Sequence, residues 1–161
     1  MLNREKLDAL IVWIANCPDV RDLGYTKLWK LIYFTDVAAL RELGHTITGS
    51  DYIKYEHGPV PSRGEREMKI LVREGTVNTK QRPHGPHTIN EILPVATASD
   101  ASFAAEELAI IKRVCREMGR MSAGKLSEIS HQEPAWVYAE QLGALSQELM
   151  AYGAEEDEDG L

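Results

Sequence analysis

The chain has 161 residues, 43% of them hydrophobic and 27% charged, which suits one ordinary globular domain able to bury a sizeable core. The net charge of −7 is uneven, because Glu155, Glu156, Asp157, Glu158 and Asp159 supply five of those charges and leave the body only mildly acidic. No apolar run approaches the roughly 20 residues a spanning helix needs, and Lys6 and Asp8 interrupt any signal peptide, so a cytoplasmic protein without membrane contact is expected.

The first predicted helix opens at Asn3, an N-cap, with Leu2 and Leu7 placed for a hydrophobic staple. Leu7, Leu10, Ile11 and Ile14 form one stripe that packs on the core, and Cys17-Pro18 ends the helix. A polar loop, Asp19 to Tyr25, leads to the stretch that dominates the chain. Thr26 is its predicted N-cap and Gly44 its stop, since glycine enters the left-handed conformation cheaply. Leu28, Trp29, Ile32, Tyr33, Ala39, Leu40 and Leu43 share one wide face, too broad for a surface helix, so this is the central core helix. Asp36 falls inside that face and must be hydrogen-bonded there; backbone N–H groups of the Gly58-Pro59-Val60 turn, His45 or Lys30 are the expected partners. Phe34 and Val37, opposite, are expected under the C-terminal helices near Trp136.

Residues 51–56 alternate and carry two aromatics, which predicts a strand. His57-Gly58-Pro59-Val60-Pro61 is expected to end it, because proline cannot donate to a ladder. Ser62 and Glu65 read as a capping box for a helix that Gly75 stops. Thr76–Lys80 and Thr88–Leu93 read as two strands joined by a Pro- and Gly-rich loop, which with 51–56 give a three-stranded antiparallel sheet. The second half is helical: a helix capped by Ser102, one capped by Ser122, one with Pro134 in its first turn and one from Ser146 to Tyr152. The fold class is therefore α+β, mainly α-helical: a bundle around a central helix, with a small three-stranded sheet. Residues 1–153 form one domain, and the acidic stretch 154–161 is too charged and too poor in apolar residues to fold.

Chemistry-bearing patterns are sparse. There is no phosphate-binding glycine loop and no nucleophile elbow, so neither a cofactor nor an enzymatic role is expected. Cys17 and Cys115 sit in apolar helical patterns and are expected to be reduced, buried thiols. His84 and His87 lie close together on a loop, but no third ligand at matching spacing completes a metal site. His57 beside Glu56 is the one seed for acid–base chemistry, and nothing builds a reaction centre around it. Two basic clusters, Arg63, Arg66, Lys69 and Arg73 and Lys112, Arg113, Arg116, Arg120 and Lys125, read better as solvated, ion-paired helix faces than as a DNA footprint.

Lys27-Leu28-x-Lys30-Leu31-x-Tyr33-Phe34-x-Asp36, a Thr-Gly turn, a strand and Gly58-Pro59-Val60-Pro61 resemble the first signature of the Panacea, or SocA-like, domain family. Leu126-Ser127-x-Ile129-Ser130-His131-Gln132-Glu133-Pro134-Ala135-Trp136 is similar to its second, and the resemblance covers nearly the whole chain. It implies a bacterial or phage antitoxin that neutralises its cognate protein toxin by direct binding. One member resembles an adaptor that delivers its toxin to a protease, so a Clp-type protease is an alternative partner and degradation an alternative outcome. A winged-helix-like DNA regulator is the competing reading, although DNA is the less expected partner; homo-oligomerisation stays open. The partner site is expected at Tyr55, His57, Pro59, Val60, Arg63 and Arg66, because a turn fixed by Pro59 and Pro61 loses little entropy on binding and the arginines can bond acidic groups. Lys30, Tyr33, Asp36, Gly58, His131 and Trp136 are expected to be structural.

Overall fold

The computed structural model of the chain describes residues 1–153; the acidic stretch expected to stay unfolded lies outside the described residues. Helix α1, Arg4–Asn16, starts as expected at Asn3, whose side chain accepts a hydrogen bond from the Lys6 N–H at 3.1 Å. Its Leu7, Leu10, Ile11 and Ile14 are fully buried. Helix α2, Tyr25–Leu43, is the central element and ends at Gly44 with φ 83°. It begins two residues earlier than expected: Gly24 is the N-cap, and Thr26 falls inside the first turn, where its hydroxyl makes no cap bond. Every residue from Lys27 to Val37 is buried, Phe34 and Val37 among them.

The expected three-stranded sheet does not form. Strand β1, Tyr52–Tyr55, pairs antiparallel with β2, Gly58–Pro61, and β3, Val77–His84, pairs with β4, His87–Pro94, giving two separate two-stranded sheets. The Gly-Pro-Val-Pro segment was expected to break the ladder, yet it is itself a strand. Proline is tolerated in short edge strands, and the two-residue link Glu56-His57 folds β2 straight back on β1. The other side of β1 is taken by the chain around Leu142–Leu145. The Leu142 N–H donates to Lys54 O, the Lys54 N–H to Gly143 O and the Leu145 N–H to Tyr52 O, each at 2.9 Å. Strands β3 and β4 run further than expected, to a two-residue turn in which Gly85, at φ 60°, supplies the positive φ such turns demand.

Helix α3, Gly64–Arg73, starts without the expected capping box: Arg63 is its N-cap, and the Ser62 N–H is spent on Asp51 O at 2.8 Å. Helix α4, Ala105–Met118, is capped at Ala104 rather than Ser102, with Glu107 accepting from the Ala104 N–H at 2.9 Å. Helices α5, Ala123–Ser130, and α7, Gln147–Tyr152, are capped by Ser122 and Ser146 as expected. Between them α6, Pro134–Val137, opens on its proline. Helices α1, α4, α5 and α7 and strands β2 and β4 all touch α2. The architecture is mixed helix and strand, mainly helical. Cys17 and Cys115 are free thiols. No helix among the described residues is long and apolar enough to cross a membrane.

Candidate functional site

The two sequence signatures meet at the β1–β2 turn, and Gly58 is where they touch. Its φ is 119°, a region costly for any side chain, and a Cβ there would strike Lys30 Cε and Ser130 Oγ. Lys30 therefore runs from α2 beneath the turn, and its ammonium donates to Pro59 O at 3.0 Å. From the other side comes the second signature. His131, the C-cap of α5, stacks on Trp136 with ring centroids 4.1 Å apart at 17°. The Trp136 indole N–H donates to Tyr55 O at 3.1 Å, and Lys54 Nζ lies 4.2 Å from the centre of the Trp136 ring while donating to Ala139 O. A cation held over an indole face is attracted by its quadrupole, so Lys54 pins this junction from above.

Two further contacts brace the junction. Tyr33 donates from its hydroxyl to Glu133 Oε1 at 3.2 Å, and Arg41 donates to the same oxygen at 2.8 Å. Burial, with the Glu133 carboxylate beside it, pushes the Tyr33 hydroxyl's pKa up, so it remains a donor. Asp36 has none of the partners expected for it. Its Oδ1 accepts from the Ile47 and Thr48 N–H groups at 2.8 and 3.0 Å, and its Oδ2 from the Thr48 hydroxyl and, at 2.6 Å, from the Tyr52 hydroxyl. Burial raises its pKa, against hydrogen bonds that favour the ionised form and pull it down. Asp36 thus ties the 45–52 loop to α2 and fixes where β1 begins. The sequence placed this acceptor correctly in the core but could not say which loop would reach it.

The expected partner residues divide. Tyr55, His57 and Val60 line one open pocket of about 680 Å³, together with Tyr25, Trp29, Lys30 and Ile53. Arg63 and Arg66 line a separate one of about 400 Å³ beside Met1, Leu2 and Arg4; Ser62 borders both. Pro59 is buried and offers no side-chain surface, so its place in the expected contact set is not kept; it works through its carbonyl. His57 is exposed, on the turn itself. Sequence reasoning missed three exposed apolar residues that the fold brings to the same end of β1. Val137, Tyr138 and Leu142 are 46%, 76% and 63% exposed, and Tyr55 is 46% exposed. Lys54 ties them together, because its ammonium bonds the Ala139 carbonyl and its carbonyl accepts from Leu142. Leu142 is held at φ 63°, a left-handed conformation disfavoured for leucine. Their chain separation of more than 80 residues from Tyr55 hid them.

The second basic cluster is partly neutralised: Arg113 forms a double ion pair with Glu42 across α4 and α2, and Arg120 lies 3.7 Å from Asp19. A three-stranded wing beside α5 is not formed. His84 and His87 face each other across the β3–β4 turn, both exposed, with His84 3.9 Å from Asp22.

No curated protein and no solved structure matches this chain. The family model described as antitoxin SocA-like, Panacea domain, matches residues 28–137, a span that holds the second signature and all of the first but Lys27, and the chain belongs to that family.

Proposed function

We propose that this protein is an antitoxin that neutralises a cognate protein toxin by direct binding at the β1–β2 end of the molecule. The observation that carries the reading is the gathering of Tyr55, Val137, Tyr138 and Leu142, four of the seven exposed large hydrophobic residues among the described residues, around one strand end. Exposed apolar side chains grouped on a rigid support mark interaction surfaces, and aromatic anchors with few rotatable bonds bind at small entropic cost. Their support is rigid: β1 is paired on both sides, and Trp136 is fixed by a hydrogen bond, a ring stack and a cation. The family match supplies the class of partner. Arg63 and Arg66, in the adjoining pocket, would steer an acidic rim of the toxin.

The experiment is co-expression with the neighbouring reading frame, scoring growth rescue and co-purification. The wild-type chain rescues growth and retains the toxin. Tyr55→Ala combined with Tyr138→Ala loses both while its melting curve stays within about 2 °C of wild type, as expected for exposed sites. Full rescue by that double variant would overturn the site, and a neighbour with no toxicity would overturn the function.

A further inference from the structure

The pocket under the β1–β2 turn has a charged floor in Lys30. Lys30 is 1% exposed, and among the described residues no carboxylate lies within 4.0 Å of its ammonium; its one hydrogen bond is to the Pro59 carbonyl. An ammonium has three donors, and removing it from water without a counter-charge is costly. Burial accordingly pulls the Lys30 pKa down to about 8, which still leaves it mostly charged at neutral pH. Gly58 keeps this geometry, since any side chain there would displace the lysine. The walls above are apolar and aromatic: Tyr25, Trp29, Ile53, Tyr55 and Val60. Two carboxylates, Glu56 and Glu65, also border the pocket, with Lys69 and His57, so it suits a single negative charge better than the double charge of a phosphate.

We propose that this pocket is a carboxylate site, which takes a carboxylate carried on an apolar body, with Lys30 as counter-ion and Trp29 and Tyr55 as walls. An acidic side chain of the bound toxin and a free small carboxylic acid share that chemistry; naming the toxin as a source rests on the function proposed above. The ligand would supply the anion that the described residues do not, so its charge-assisted bond to Lys30 gives selectivity for acid over amide.

The test titrates 3-phenylpropionate, and its neutral analogue 3-phenylpropionamide, into the full chain at pH 7 with NMR detection of the lysine Cε and tryptophan indole signals. The acid binds at least about tenfold more tightly than the amide, and its binding moves the Lys30 titration upward by about a unit or more. In Lys30→Met the preference for acid disappears. Should that variant fail to fold, the upward shift of the Lys30 titration in the wild-type chain still decides the matter. Equal binding of acid and amide, no binding of the acid, or an unmoved Lys30 titration overturns the proposal. Toxin rescue assigns the source: if Lys30→Met loses rescue along with the acid preference, the toxin's own side chain is the occupant. If it loses the acid preference alone, a free carboxylic acid is. A wild-type chain that binds the acid but meets no toxin would leave the pocket standing and remove the antitoxin reading.

Discussion

Replacing Asp36 with alanine is the sharpest test of how the site is held in place. The carboxylate is fully buried and accepts from the Ile47 N–H, the Thr48 N–H, the Thr48 hydroxyl and the Tyr52 hydroxyl. Thr48 keeps a second partner in Ser50 Oγ at 2.8 Å, so the substitution strands three donors: two backbone N–H groups and the Tyr52 hydroxyl. Each buried donor left unpaired costs about 1–3 kcal/mol. Water entering the vacated space and relief of the carboxylate's own desolvation return part of that, leaving a net loss of about 3–5 kcal/mol. For a chain of this size that lowers Tm by roughly 6–20 °C. Asp36→Asn keeps the shape and one acceptor, and should cost only about 1 kcal/mol. Thermal and urea unfolding followed by circular dichroism give both numbers. An Asp36→Ala protein with unchanged Tm that no longer binds its partner would refute the structural role and make Asp36 a contact residue.

Three other outcomes follow from named contacts. Gly58→Ala places a methyl group against Lys30 and Ser130 at φ 119° and should cost about 2–4 kcal/mol in urea unfolding, far more than an exposed glycine such as Gly85 would. Trp136→Phe, which keeps an aromatic ring but loses the indole N–H bonded to Tyr55 O, should cost about 1 kcal/mol or more in stability and weaken toxin retention. Asp8 gives a pH dependence. Burial, then the neighbouring Glu67, raises its pKa from 3.8 to about 7, and its Oδ1 is buried without a hydrogen-bond partner. The folded state therefore holds a proton that the unfolded chain releases near pH 4, so this carboxyl's contribution to stability is full below pH 4 and is lost as pH rises through about 7. Asp8→Asn should match wild type at pH 4 and melt higher at pH 8; equal Tm differences at the two pH values would contradict the shift.

Local signals in the sequence were readable because their causes are local. Asn3, Ser122 and Ser146 cap helices through bonds from the N–H three positions on, and Gly44 and Gly75 end helices by adopting positive φ. The breadth of the apolar face on α2 likewise revealed the central helix, since it reports burial directly. What stayed hidden depends on distant chain. The strand at Tyr52–Tyr55 was legible, but its neighbours, the proline-bearing β2 and the segment at Leu142–Leu145, are chosen by tertiary packing that overrides proline's poor strand propensity. For the site, Tyr55, His57 and Val60 were found together and share a pocket. Lys30 was read as structural, and its spacing gives no hint that its ammonium meets no carboxylate among the described residues. Val137, Tyr138 and Leu142 read as ordinary helix and loop residues until the Lys54 contacts place them beside Tyr55.

Hydrogen exchange on the free chain and on its complex with the toxin addresses the partner surface most directly. The account predicts slowed exchange on binding across Tyr55–Pro61 and Val137–Gly143, the two segments that meet at the end of β1. Protection confined to α4 or to the β3–β4 hairpin, with those two segments unchanged, would contradict it.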